Sequence, residues 1–287
     1  MPAASAAGMD DAFRRFAEQC PDAVMVTDRA GRIEYVNAAC ERVTGYAAAE
    51  LVGARPALLK SGRHEADFYR ALWRALLAGE EFRAVFCNRA KGGALYYEEK
   101  IIRPLGAGFA SFGRDVTERA HEHERLAHAA THDSLTDLPN RRLFLDRLEQ
   151  ALRHAARNNE TFTVALMDLD RFRETNNRFG HLAGDAVLRA VAERTLACLR
   201  QADTVARIGG DEFALILSGT GPAEAQGVLA KIVAVNAAPV RFQGAELPAS
   251  VSVGACAAPD ITVEELLERA DRRLYEAKAA GGSRYAL

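Results

Sequence analysis

Two short apolar runs in the second half of the chain, 204–208 and 213–217, are separated by Gly209-Gly210-Asp211-Glu212, and a third run, 161–167, ends in Asp168-Leu169-Asp170. Short apolar runs bounded by turn residues read as strands, and the Gly-Gly step reads as a tight hairpin turn. Helical spacing appears between and beyond them. Phe144, Leu148 and Leu152 mark one amphipathic helix, and Val187, Leu188, Val191 and Leu199 mark another. A further strand is predicted over 250–256. Thr262-Val263-Glu264-Glu265 is a capping box for a last helix, with Leu266, Leu267, Ala270 and Leu274 inward and Gly281 at its end. Strands alternating with helices predict an α/β sandwich.

The acids in this pattern carry chemistry. If the strands that hold them are neighbours, Asp168 and Asp211 converge at one sheet edge, with Glu212 beside them. Converging carboxylates repel unless a cation sits between them, and hard oxygen donors suit Mg²⁺ or Mn²⁺. Such ions hold a triphosphate and activate an attacking hydroxyl. Taken singly, each acid reads as a surface or turn residue. Gly209 and Gly210 permit positive φ and a side-chain-free approach of ligand to backbone. A bare Gly-Gly reads as an ordinary hairpin turn.

Bulk properties narrow the classes. A length of 287 residues suits two domains. Residues 1–130 carry 18 Lys+Arg and 18 Asp+Glu, and the remainder 19 and 21. That balance disfavours a nucleic-acid polymer as partner but leaves room for a small anionic nucleotide. There is no apolar stretch of membrane-spanning length, so no membrane insertion is expected. The first residues lack the basic and apolar segments of a secretory signal. Five scattered cysteines read as free thiols in a reducing cytoplasm, the expected location.

The string Arg207-Ile208-Gly209-Gly210-Asp211-Glu212-Phe213 resembles the signature of the GGDEF family of diguanylate cyclases. Three further motifs agree in order and spacing. Residues 133–142, DSLTDLPNRR, resemble the family's opening motif, and 168–185, DLDRFRETNNRFGHLAGD, its nucleotide-binding segment. Ala270-Asp271 with 274–278, LYEAK, resembles its last helix. The resemblance covers 131–287 and implies a nucleotidyl-cyclase-like α/β sandwich that condenses two GTP into cyclic di-GMP and pyrophosphate. It assigns Asp168, Asp211 and the Leu169 carbonyl to the metal, and Asp211, assisted by Glu212, to general base for the ribose 3′-hydroxyl. It assigns Asn176 and Asp185 to guanine, and Arg173, at a position that normally carries Lys, to the phosphates together with Lys278. A carboxylate accepts from guanine N1–H and N2–H, donors that adenine lacks, so such a site selects GTP. Arg200 and Asp203 match the product-inhibition motif, in which arginine grips guanine O6 and N7. Each domain binds one GTP, so the resemblance also implies a homodimer. The chain departs from the pattern at Thr175, where an aliphatic residue is usual, at Asn177, usually Asp, and at Gly282, usually Arg with Arg284 nearby. The alternatives are a catalytically weak module that binds GTP or cyclic di-GMP, and a scaffold. No cyclic di-GMP phosphodiesterase domain is expected after Leu287.

The first region, 11–115, reads as two strands (24–28 and 32–37), a helix marked by Phe68, Leu72 and Leu76, and three strands (81–88, 95–103, 108–114). That order predicts an antiparallel sheet with helices on one face. The segment 21–46, ALLKSGRHEADFYRALWRALLAG and the hairpin 88–104 resemble a PAS domain, with 115–119, DVTER, as its exit. The chain is thus read as α+β followed by α/β. Its ligand readings are FAD, because the central segments resemble flavin-carrying PAS domains; a haem on His64, although the polar SGRHE context suggests an exposed side chain; and no ligand. Residues 116–130 read as a linker helix. Val116, His123, Leu126 and Ala130 fall at heptad-like spacing for a dimeric coiled coil, and His128 and His132 share a face.

Overall fold

The computed structural model describes residues 14–158, 160–258 and 262–287. Residues 11–13, the expected start of the first domain, lie outside the described residues. Two compact units divide the chain at Arg125/Leu126.

In the first unit one five-stranded antiparallel sheet runs in the order β2-β1-β5-β4-β3. Its strands are β1 (Ala23–Asp28), β2 (Ile33–Val36), β3 (Phe82–Arg89), β4 (Leu95–Leu105) and β5 (Gly108–Asp115). Between β2 and β3 lie helices α1 (Ala38–Thr44) and α2 (Ala48–Leu51), a 3₁₀ turn (Pro56–Leu59) and α3 (Ala66–Leu77). Asn37 organises the start. Its buried Oδ1 accepts from Val24 N at 2.9 Å and caps α1 through Cys40 N at 3.0 Å, while Nδ2 donates to Ala17 O at 2.8 Å. Leu72 and Leu76 bury the inner face of α3 against Phe86 and Phe109. His64 differs from expectation. Its ring stacks on Phe68 with centroids 4.1 Å apart, and Nε2 accepts the Cys87 N–H at 2.8 Å. Burial lowers its pKa. The side chain is half-buried, and its Nε2 is engaged by the backbone of β3.

Helix α4 (Thr117–Ala129) carries the division between the units. It has no buried residue, and Leu126 is exposed. Val116 precedes the helix and is buried, so it is not available as a seam position. His128 and His132 stack at 3.9 Å, but His132 lies beyond the helix, bridged to Pro139. No helix among the described residues is long and apolar enough to cross a membrane.

In the second unit the sheet order is β12-β11-β6-β8-β7, with β6 (Phe162–Leu169) central. Its neighbours are β7 (Thr204–Arg207), β8 (Glu212–Leu217), β11 (Val251–Ala258) and β12 (Tyr285–Ala286), and β12 is parallel to β11. A separate ribbon pairs β9 (Val240–Phe242) with β10 (Ala245–Leu247). The helices are α5 (Arg141–Asn158), α6 (Phe172–Phe179), α7 (His181–Leu196), α8 (Pro222–Asn236) and α9 (Val263–Ala279). Successive strand residues point to opposite faces. Ala165, Met167, Phe213 and Leu215 therefore join one core with α7 and α8, and Val164, Ala214 and Ile216 join another with α5 and α9. Burial on both faces is why these strands read as unbroken apolar runs. The helix expected to reach Leu199 ends at Leu196.

Candidate active site

The register of β6 and β8 positions the acids. Asp168 pairs with Glu212, and Met167 with Phe213. Period-two geometry puts Asp168 and Glu212 on the face that carries Ala214 and Ile216, the face covered by α9. From α9, Lys278 Nζ reaches Asp168 Oδ1 at 2.8 Å. The height of α9 is fixed by Gly254 in β11, because a Cβ there would overlap Leu274 N and Ala270 O. Asp211 sits in the turn just before β8, and its carbonyl accepts the Leu169 N–H at 3.3 Å. Asp168, Leu169, Asp211 and Glu212 are therefore gathered at one end of the β6–β8 pair.

The electrostatics match that geometry. Burial raises the Asp168 pKa from its ordinary value, the Lys278 ammonium opposes the rise, and the charges of Asp211 and Glu212 add to it. The lysine ammonium occupies the place of a compensating cation. Among the described residues, no group of three His, Cys, Asp or Glu side chains suited to a metal ion occurs. A divalent cation at this edge would rest on the Asp168 and Asp211 carboxylates and the Leu169 carbonyl, and complete its shell from water and nucleotide phosphates. Mg²⁺ is ordinarily held by one or two carboxylates in that way, so the donor set fits it.

The Gly-Gly turn differs from expectation in one respect. Neither Gly209 nor Gly210 adopts positive φ. A Cβ on Gly209 would lie 2.9 Å from Glu212 Oε2, whereas Gly210 faces open space. Side-chain-free access, not backbone conformation, is what the glycines supply. The turn is held from behind by Arg207. Its Nε and Nη2 donate to Gly210 O at 3.0 and 2.7 Å, and its Nη1 donates to both oxygens of Asp133 at 2.9 and 3.1 Å. Burial pushes the Asp133 pKa up, but hydrogen bonds from Thr136 and Arg207 outweigh it and leave the pKa below the ordinary value. The sequence reading missed this tie, whose partners lie 74 residues apart.

Asn176 lies on α6 and Asp185 on α7. The two helices meet at Gly184, where a Cβ would overlap Asn176 Oδ1 and stand 3.1 Å from Phe172 Cζ. Asn176 Oδ1 is buried and has no hydrogen-bond partner. A buried polar atom left unpaired is costly, so an orphan acceptor marks a place where a donor is expected. Asp185 is half-buried and next in sequence to Gly184, while Arg173 is exposed on α6. Asp170, outside the predicted set, accepts from Ser252 Oγ at 2.6 Å and Ser283 N at 2.9 Å, tying the turn after α9 to the end of β6. Gly282 packs against that carboxylate. Arg200 and Asp203 sit before β7 and the Gly-Gly turn lies beyond it, the four residues of the strand alone spanning roughly 13 Å at strand rise. Asp203 Oδ2 accepts from Arg200 N at 2.9 Å and its Oδ1 from Ser218 N at 3.1 Å.

Comparisons with known proteins bear on the family and the fold. The model of the family "Diguanylate cyclase, GGDEF domain" matches residues 130–284, and that of "PAS fold" matches 11–97. The chain is 45% identical over 168 residues to the diguanylate cyclase TpbB of Pseudomonas aeruginosa, covering 57% of this chain and 39% of that protein. It is 31% identical over 283 residues to the cyclic di-GMP phosphodiesterase PdeR of Escherichia coli, covering 94% of this chain and 42% of that one. The crystal structure of the coiled coil and GGDEF domain of DgcB from Caulobacter crescentus in complex with c-di-GMP aligns at a TM-score of 0.55 and 32% identity, over 59% of this chain and 92% of that one. The chain spans well under half the length of these two curated relatives. Its second unit has the GGDEF fold and its first the antiparallel PAS sheet. The chain belongs to the diguanylate cyclase GGDEF-domain family, with a PAS fold ahead of the GGDEF domain.

Proposed function

We propose that the chain is a sensor-regulated diguanylate cyclase, acting in the cytoplasm as a homodimer, that condenses two GTP into cyclic di-GMP and pyrophosphate. The observation that carries this reading is the gathering of Asp168, Asp211 and Glu212 at one strand edge, with a raised Asp168 pKa and a lysine as counter-charge. Bound Mg²⁺ or Mn²⁺ would neutralise phosphate charge and lower the pKa of the attacking hydroxyl. The chain's own residues do the rest. Asn176 and Asp185 orient guanine, the orphan Asn176 Oδ1 accepting from the base. Arg173 and Lys278 hold the phosphates. Asp211, assisted by Glu212, takes the proton from the ribose 3′-hydroxyl, whose oxygen attacks the α-phosphorus of the second GTP while pyrophosphate leaves. The step is repeated to close the ring. One GTP per domain requires two domains face to face, and the exposed Leu126 on α4 supports pairing through that helix.

The PAS fold has a short route to α4. Val116 N donates to Tyr97 O at 2.9 Å, and Tyr97 N donates to Thr117 Oγ1 at 2.9 Å, so β4 grips the first turn of the helix. The visible spectrum of the purified protein tests for bound FAD by its flavin bands. The Arg200-Asp203 turn serves product inhibition, and Arg200→Ala should make added cyclic di-GMP less inhibitory; equal inhibition of both proteins refutes this. The intact acids favour the cyclase over a binding module. Incubation with GTP and Mg²⁺, followed by product identification, tests the enzyme. The wild type should form cyclic di-GMP and Asp211→Asn should not, whereas a wild type that forms none would overturn the proposal.

A further inference from the structure

Helix α9 is held to the sheet at two points, and Lys278 lies between them. The first is Gly254 of β11, under Ala270 and Leu274. The second is Asp170, just beyond the end of β6. Its Oδ1 accepts from Ser252 Oγ at 2.6 Å and its Oδ2 from Ser283 N at 2.9 Å. Ser252 is fully buried and is the register partner of Asp168 across the β6–β11 ladder. The turn that Asp170 holds is costly to form. Gly281, Gly282 and Ser283 have φ of 110°, 73° and 50°, three successive residues in the left-handed half of the map. Glycine adopts such values freely, whereas serine does so at a cost that the bond from Ser283 N offsets. A Cβ on Gly282 would stand 3.0 Å from Asp170 Oδ1, so the carboxylate lies close against the backbone there. Within the turn, Gly281 N donates to Lys278 O at 3.0 Å and Gly282 N to Ala277 O at 3.2 Å, closing the last turn of α9. The Lys278 side chain is 42% exposed, so packing alone does not fix it. It is tied at its carbonyl by the turn and at its ammonium by Asp168, 2.8 Å away.

We infer that Asp170 is a positioning residue: by clamping the 281–283 turn it sets Lys278 at the edge that carries Asp168, and so determines how strongly the site prefers a nucleoside triphosphate to a monophosphate. An ionised carboxylate only accepts hydrogen bonds, and both Asp170 oxygens are engaged by protein donors, so its effect on an anionic phosphate runs through the groups it holds. The inference rests on the assignment of Lys278 to the phosphates.

Calorimetric titration of the full chain in Mg²⁺, with a non-hydrolysable GTP analogue and with GMP, tests it. Asp170→Asn turns an amide N–H₂ toward one of the two donors of the clamp. It should weaken the analogue about twofold to fivefold, the effect of misplacing one partly exposed ion pair. GMP, held by Asn176 and Asp185, should bind unchanged and show that the site is folded. Ser252→Ala keeps every carboxylate and should move the analogue-to-GMP ratio in the same direction, so it decides the question if Asp170→Asn does not fold. Lys278→Met should lower the ratio at least as far, and adding Asp170→Asn to it should lower it little more. Equal losses for both nucleotides would reduce Asp170 to a structural role, and full additivity with Lys278→Met would show it acting by another route; either overturns the inference. An unchanged ratio in Asp170→Asn and Ser252→Ala, with a lowered one in Lys278→Met, would overturn the inference and leave the Lys278 assignment standing. An unchanged ratio in Lys278→Met would refute that assignment and the inference with it.

Discussion

Gly184→Ala places a methyl group where the structure has no room for one. The new Cβ would overlap Asn176 Oδ1 and stand 3.0 Å from Asn176 Cγ and 3.1 Å from Phe172 Cζ, inside the 3.4 Å at which ordinary contact begins. The two helices are packed through this point, so relief comes from swinging the Asn176 carboxamide or pushing α6 off α7. Either movement re-aims the one buried acceptor in the pair that has no partner in the protein. Losing a hydrogen bond at such a site costs about 1–3 kcal/mol, which converts to roughly 5- to 150-fold in apparent GTP affinity. Overpacking adds about 1–3 kcal/mol of destabilisation. Steady-state kinetics with saturating Mg²⁺ should show a rise in KM for GTP that exceeds any fall in kcat, with a Tm measurement confirming that the protein is folded. Asn176→Ala should produce a similar rise, and the double variant should lose little more than either single one, because both remove the same contact. A folded Gly184→Ala protein with unchanged KM, or fully additive losses in the double variant, would refute the assignment of Asn176 to the base.

Two predictions concern the scaffold behind the site. In the Asp133–Arg207 pair one guanidinium nitrogen donates to both carboxylate oxygens, and the two side chains are only partly exposed, at 22% and 15%. Its coupling in a double-mutant cycle should fall at about 1–3 kcal/mol, between exposed pairs and fully buried ones; urea titrations giving less than about 0.5 kcal/mol would contradict this. Because the folded Asp133 pKa is lowered, its contribution is present above the unfolded carboxylate value and is lost as pH falls through the folded one. Asp133→Asn should therefore reduce stability at neutral pH and matter least in acid. Gly254→Ala drives a methyl into the backbone of α9 at Leu274 and Ala270. It should lower stability by about 1–3 kcal/mol and displace Lys278 from Asp168; an unchanged Tm would show that α9 does not rest on β11 as described.

Much of this was legible in the sequence because the relevant signals are local. Apolar runs marked the central strands, and Thr262 with Glu265 forms the expected capping box. The convergence of Asp168 and Asp211 followed from strand adjacency, which the register of β6 and β8 supplies. What escaped was of two kinds. Helix α8 buries Ala225, Leu229, Ile232 and Asn236 at helical spacing behind Gly221-Pro222, a signal present in the chain but blurred by small apolar residues on its other faces. Helix α6 is short and polar, and earns its place through contact with α7 at Gly184 rather than through periodicity. The ties from Arg207 to Asp133 and from Lys278 to Asp168 join residues far apart in the chain, where no local rule applies. His64 was misjudged because its neighbours are polar, whereas its ring is held by Phe68 one helical turn onward and by the Cys87 amide of β3.

The central claim is that the Asp168 and Asp211 carboxylates act together on a divalent cation and a guanine nucleotide. Titration with Mn²⁺, followed by electron paramagnetic resonance in the presence of a non-hydrolysable GTP analogue, addresses it directly. Tight Mn²⁺ binding that depends on the nucleotide, and is lost in both Asp168→Asn and Asp211→Asn while each variant stays folded, is the predicted result. Undiminished Mn²⁺ binding in either variant would contradict it.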